Sequence, residues 1–448
     1  MAIATGPAQT PSALRTPGIK FLLIAVLTIV MGVPLFLIDV ALWDRQDRAG
    51  EAASDVGSGW GGPQTVAGPM LVVPYEYTTQ STIDGRTVQT TSQSEAVILP
   101  TALTMRAKVD TSTRWRGIFP VPVYRGAIGM DAQLDKQTIA AGLPTDSRIL
   151  WGQAQIVILV SDPHGLAENV FIDANGRKLA FEPGLSASAA NVGGIHADFP
   201  LDKIPESLTL HTTLALHGSR ELNLAPLGRQ TEAKMQSGWR DPSFSGAFLP
   251  TDRNVGPAGF TANWTIPYLA RGFAQSFTSL PLAVQAVQTS DLGVKFYQPV
   301  DLYQMVARSL KYAVLFVGLA FLIFFITELL TGAGLHPVQY ALIGLAQVLF
   351  YLLLLSFAEH VGFTLAYVVA AASTLAMTTL YASTVFDNVS RAGILAGLLA
   401  ALYGLLYVIL IQEDYALLVG AVVLFCSLGA TMFATRRIDW SSTSARAA

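Results

Sequence analysis

The residues that could do chemistry in this chain are few, and most of them flank apolar runs. Glu359 and His360 stand together, as do Glu413 and Asp414, and each pair sits at the end of a long hydrophobic stretch. Glu328, Asp387 and Arg391 are placed in the same way. An ionisable group in or near hydrocarbon is costly and usually faces a bundle interior or a cavity. Two readings follow. In one, these side chains are caps and loop charges in contact with water. In the other, Glu359, His360, Glu413 and Asp414 form a polar cluster at the outer membrane face that binds a ligand or the domain above it.

Elsewhere the chemistry is sparse. The six histidines (His164, His196, His211, His217, His336 and His360) are scattered and show no metal-ligand spacing. No Gly-x-Ser-x-Gly elbow, phosphate-binding loop or His-Glu-x-x-His pair occurs. The sequence therefore predicts no catalytic residues, no metal and no cofactor. The single cysteine, Cys426, cannot form an intramolecular disulfide and reads as a small packing residue.

The elements that must position these residues are apolar helices. Residues 312–330, 338–357, 361–385, 392–411 and 415–434 each approach the ~20 residues that cross ~30 Å of hydrocarbon. A sixth stretch, Ile19–Leu42, lies far upstream. Its apolar part exceeds the ~7–15 residues of a signal core, so it reads as an uncleaved anchor, bent at Pro34. Composition agrees, with 52% hydrophobic and 13% charged residues, where soluble domains carry about 25% charge. A net charge of −3 excludes the basic footprint of a nucleic-acid binder.

Lys and Arg near span ends set orientation. Arg15 and Lys20, Arg391, and Arg436, Arg437 and Arg446 all fall on one side of a six-span arrangement, whereas the Glu359 and Glu413 turns carry none. Both termini are then cytoplasmic and the intervening region is periplasmic. Arg308 and Lys311 run against the bias, but they follow a long translocated domain, where charge weighs less.

That intervening region is patterned as strands. Leu208, Leu210, Leu214, Leu216, Leu222 and Leu224 share one parity, which places a leucine row on one sheet face. His211 and His217 have the opposite parity and face away. Ile156–Val160 is continuously apolar, as in a strand buried on both faces. Asp84-Gly85 and Asn175-Gly176 suit type I′ hairpin turns. Arg45–Ser58 reads as a helical stalk ended by Gly57-Ser58-Gly59, and Ser290–Arg308 as the return into the second span.

The fold class is thus a membrane α-helical bundle, with one N-terminal anchor and five C-terminal transmembrane helices, and a large β-rich extracytoplasmic domain inserted between. The expected boundaries are a tail at 1–18, helix 1 at 19–42, the β-rich domain at 43–307, the five-helix bundle at 308–434 and a tail at 435–448.

Several longer segments carry a family likeness. They are Gly62-Pro63-Gln64-Thr65 with Gly68–Tyr75, Phe244–Pro250 with Gly259-Phe260, Gln298–Asp301, and Arg308–Ala313. His336-Pro337-Val338-Gln339-Tyr340 is the strongest, followed by Phe350–Ser356, Glu359-His360, Tyr403–Tyr407 and Glu413–Leu418. By these the chain resembles the CreD family of bacterial inner-membrane, cell envelope integrity proteins, from the first helix to Asp439-Trp440. The resemblance implies a Gram-negative inner-membrane component, controlled with a two-component system and linked to tolerance of envelope stress. It carries over no catalytic residue and no cofactor. The partners expected are the lipid bilayer and an unidentified periplasmic or envelope protein. Two functions stay open at this point: a non-enzymatic envelope factor acting through the β-rich domain, or a transporter or channel for an envelope lipid or small solute.

Overall fold

In the computed structural model the first apolar stretch continues without interruption into the stalk. The structure describes residues 17–436, apart from 84–85, 186–188, 190–191, 297–301, 332–333, 387–388 and 412–415. Helix α1 runs Pro17–Trp60 with Pro34 inside it, so the Gly57-Ser58-Gly59 run does not end it. It stops at Gly61 instead, whose φ is +127°. A Cβ at Gly61 would lie 2.6 Å from the His217 carbonyl oxygen, so glycine alone allows this approach.

Strands follow: β1 (Gln64–Ile83), β2 (Arg86–Ile98), β3 (Ala102–Arg116) and β4 (Phe119–Asp135), then the short α2 (Lys136–Ala141). Next come β5 (Arg148–Ile149), β6 (Gln155–Val160), β7 (Phe171–Ala174), β8 (Arg177–Ala180), β9 (Glu182–Pro183) and β10 (Gly194–Asp198). The series goes on through β11 (Ser207–Ser219), β12 (Glu221–Leu224), β13 (Gln230–Ser237), β14 (Pro242–Gly246), β15 (Asp252–Gly256) and β16 (Gly259–Pro267). It closes with α3 (Tyr268–Arg271), β17 (Ser276–Phe277), α4 (Leu280–Gln288) and β18 (Leu292–Phe296). The expected return segment therefore begins as a strand. After it come α5 (Leu302–Thr331), α6 (Pro337–Val361), α7 (Phe363–Val385), α8 (Val389–Ile411) and α9 (Ala416–Thr435).

The chain divides into two compact units, Met1–Arg48 with Val300–Ala448, and Ala49–Pro299. In the first, α1, α5, α6, α7 and α8 are each long and apolar enough to cross a membrane, and α9 is apolar over its described stretch, Leu418–Phe433. Cys426 is exposed on α9 rather than packed inside.

The second unit holds two sheets. One runs β14-β18-β12-β1-β6-β10-β9, with β2, β5 and β17 attached beside it; the other runs β15-β16-β13-β3-β4-β11-β7-β8. Pairing is mainly antiparallel, but β1 meets β12 and β3 meets β13 in parallel. Strand β3 alternates exposed and buried residues, which is what a sheet covered on one face requires. Both sheets feed one core, with Val66, Met70 and Ile156 from the first and Met105, Ile128 and Leu210 from the second. Strand β6 is buried over Ile156–Val160, as its unbroken apolar run requires.

The leucine row is buried throughout, yet it does not lie on one sheet. Leu208, Leu210, Leu214 and Leu216 belong to β11 in the eight-stranded sheet, Leu222 and Leu224 to β12 in the other. The chain crosses over at Arg220, left-handed at φ +61°, whose N–H donates to the Pro122 carbonyl. Parity survives because both sheets turn these faces to the same core. At the Asn175-Gly176 turn both residues have positive φ, +51° and +82°, as a type I′ hairpin needs. Strands β1 and β2 pair up to Ile83 and Arg86, while Asp84-Gly85 itself lies outside the described residues.

Two polar side chains lock this unit. Gln64, fully buried, donates to the Asp162 and His217 carbonyls and accepts from the Asp162 N–H and the Ser161 hydroxyl. Its amide is thereby satisfied, so the Gly62–Thr65 motif is a structural seam. Arg271, 2% exposed, donates to the carbonyls of Leu227, Phe273 and Ala274 and to Gln275 Oε1. Burial pulls its pKa down to about 10. Replacing Arg271 with Leu strands those acceptors and should cost about 2–4 kcal/mol, seen as a lower melting temperature of the full chain in detergent. An unchanged melting temperature would show that water reaches them.

The end of α1 is clamped within the same unit. The Trp60 ring stacks on His217 at 4.2 Å between centroids and carries the Arg114 guanidinium at 3.6 Å. Its Nε1–H donates to the Tyr124 carbonyl, and Arg116 pairs with Asp55. Partial burial, then Arg125 and Arg114, hold the His217 pKa below its ordinary value. The folded state therefore resists protonation, and the clamp's contribution is complete above the ordinary His pKa of ~6.5 and lost as pH falls below it. Melting of the full chain between pH 7.5 and 5 should fall less steeply in His217→Gln. Identical slopes would exclude His217 as the titrating group.

Candidate functional site

Of the polar cluster expected from sequence, the structure describes half. Glu413 and Asp414 lie outside the described residues, as does Asp387. His360 is exposed, and its ring Nδ1 lies 3.1 Å from the Ser356 carbonyl one turn back, so it is a helix-end residue. Glu359 departs from the water-exposed reading. Its side chain is 6% exposed, its Oε1 accepts from the Tyr303 hydroxyl at 3.1 Å, and Arg45 Nε lies 3.7 Å away. The acid from α6 is thus joined to α1 and to the start of α5.

Glu328 departs from the reading as a water-exposed cap more sharply. It is 4% exposed near the end of α5, where a solvated cap was expected. It pairs with Lys20 Nζ of α1. Its Oε2 accepts from the Tyr340 hydroxyl at 2.7 Å, and its Oε1 from the Leu335 N–H at 3.1 Å. The strongest family motif builds this arrangement. His336 is the N-cap of α6, its Nδ1 accepting from the Val338 N–H, while Gln339 Oε1 accepts from the His336 N–H at 2.7 Å. Pro337 occupies the first turn, where its missing N–H costs nothing. The cap fixes the start of α6 so that Tyr340 faces Glu328.

Between the two carboxylates the helices approach closely. A Cβ at Gly344 of α6 would lie 2.5 Å from Phe321 of α5 and 3.1 Å from Met31 of α1. Small residues at such crossings are how membrane helices gain packing without a hydrophobic driving force.

A third polar group lies in the bundle itself. The Tyr403 hydroxyl of α8 donates to Gln347 Oε1 of α6, and the Tyr367 hydroxyl of α7 donates to the Tyr403 carbonyl, both at 2.6 Å. Phe350 stands among them, 4.9 Å from the Tyr351 and Tyr403 rings and 5.4 Å from Tyr367. The Gln347 amide nitrogen is buried and meets no acceptor among the described residues.

These groups can hold helices and set their register. Among the described residues no three His, Cys, Asp or Glu side chains come together as a metal site would require. Sequence reasoning missed Lys20, Arg45, Tyr303 and Tyr340 as partners. The one signal available was the placement of Lys20 and Arg45 at the two borders of the first apolar stretch.

The sequence pattern of the family described as Inner membrane protein CreD matches residues 16–441. The Inner membrane protein CreD of Escherichia coli (strain K12) is 32% identical over 419 residues, which covers 91% of this chain and 90% of the relative.

The two ion pairs differ in exposure, and that decides their expected weight. Glu328→Leu should cost about 3–5 kcal/mol by stranding Lys20 and Tyr340, and Lys20→Met with Glu328→Leu should recover much of it. Arg45→Ala, with 42% of its side chain exposed, should cost only about 0–1 kcal/mol. Thermal unfolding in detergent checks both. A double variant as unstable as Glu328→Leu would mean that Lys20 is not the partner that counts.

Proposed function

Because the chain belongs to the CreD family of inner membrane proteins, we propose that it is an envelope integrity factor that supports tolerance of envelope stress without catalysing a reaction. It is a multi-pass inner-membrane protein. In this reading its β unit lies in the periplasm, both termini are cytoplasmic, and the β unit meets a periplasmic or envelope protein.

The observation that carries this reading is the use made of buried charge. Glu328 and Glu359 are both tied to α1, one through Lys20 and the other through Arg45. Ion and proton pathways need ionisable groups left available along a route. Here Glu328 and Glu359 are committed to holding α1, which favours a fixed platform over the transporter reading. The Lys/Arg bias supports the orientation.

Reporter fusions test the topology. A reporter active only outside the cytoplasm should work after Asp110 or Gly218 and fail after Arg391 or Arg446. Activity at the C-terminus would overturn the orientation. For function, a variant lacking 49–299 should reach the membrane yet fail to restore stress tolerance to a deletion strain. Rescue by the helices alone would move the activity into the bundle.

A further inference from the structure

We propose that the groove between α5, α8 and α9 is a binding site for one glycerophospholipid with an anionic headgroup, its acyl chain in the groove and its phosphate at Arg391. The groove has a volume of about 530 Å³ and lies wholly within the helical unit. That is within the ~300–1,000 Å³ of ligand pockets.

Its walls suit a hydrocarbon chain. Ile323 of α5, Leu402 of α8 and Val423 of α9 line it. Thr327 and Thr331 also face it, but their hydroxyls donate back to the Ile323 and Thr327 carbonyls of their own helix. Thr431 of α9 does the same with the Ser427 carbonyl. At these threonines the wall therefore offers methyl groups where the sequence shows hydroxyls.

Length and charge fix the kind of occupant. Along α8 the lining runs from Arg391 to Leu405, about 21 Å at 1.5 Å per residue. This is about half of a bilayer's ~40–45 Å, the depth of one leaflet. Arg391 stands at one end, and Arg436 follows directly after α9, the helix that closes the groove. A guanidinium presents a planar fork that matches a phosphate, and basic residues between membrane helices are a recurring headgroup device. A zwitterionic headgroup would bring its own cation to the same place. In α9 no described side chain between Leu418 and Phe433 is fully buried. A space of this size beside that helix would forfeit dispersion contacts if left empty.

The test uses the full chain, purified in mild detergent and exchanged against dioleoyl phosphatidylglycerol or dioleoyl phosphatidylethanolamine, with native mass spectrometry as the readout. One phosphatidylglycerol per chain should be retained, roughly fivefold over phosphatidylethanolamine. Arg391→Gln should remove that preference and leave weak retention of both. Ser427→Leu with Ala430→Leu fills the groove and should abolish retention, while Phe425→Leu, on α9 outside the groove, should change nothing. A photoreactive residue at Ser427 in native membranes should capture phospholipid. Equal retention of the two lipids, no effect of Arg391→Gln, or capture of a second copy or of this chain's own terminal segment would each overturn the proposal. Should the filled variant fail to fold by size-exclusion chromatography, Arg391→Gln and the photocapture decide.

Discussion

The helical unit is organised around two of the cations of α1, Lys20 and Arg45. Lys20 and Arg45 are 25 residues apart, about 37 Å along a helix, so they border the hydrocarbon thickness at its two ends. Each finds an acid on a different helix, Glu328 on α5 and Glu359 on α6. Tyr340 and Tyr303 then tie the opposite ends of α6 and α5 to those same acids. The α5–α6 pair is therefore gripped near both ends by α1, with Gly344 letting the three helices close up in between. A buried ion pair is weak evidence for stability, since desolvation offsets much of the attraction. What it does well is to penalise every register in which the charges miss each other. The surrounding apolar surface would slide with little resistance.

The two units solve the problem of buried polarity differently. In the β unit a single amide or guanidinium reaches several backbone carbonyls, as Gln64 and Arg271 do, and closes gaps where strands and loops fail to pair. In the helical unit the backbone is already satisfied, so side chains must find one another, as the Tyr403–Gln347 and Lys20–Glu328 contacts show. The first device orders a local corner. The second specifies which helix lies against which.

The spans were legible because unbroken apolar length is a strong signal, and β6 was legible for the same reason. Parity identified the buried leucines of β11 and β12 but not that the chain changes sheets at Arg220, because one core receives both faces. Glu328 was misread as a solvated cap because its partner is 308 residues away, and nothing local marks the pairing. Glu359 was grouped with His360, its chain neighbour; successive helical positions point apart, and only the fold reveals Tyr303 and Arg45. The His336–Tyr340 motif carried the strongest family likeness, and the structure makes it a helix start whose Tyr serves Glu328.

The distance in sequence between Lys20 and Glu328 also has a meaning in time. A ribosome adds ~5–20 residues per second, so Glu328 follows Lys20 after roughly 15–60 s. Throughout that interval α1 must remain with its cation unmatched, held near the interface by the reach of the lysine stem. The whole of Ala49–Pro299 emerges during the same wait. Helix α1 is thus made well before α5 and is secured only once α5 arrives. The order of synthesis makes completion of the bundle a signal that the intervening chain has already been made.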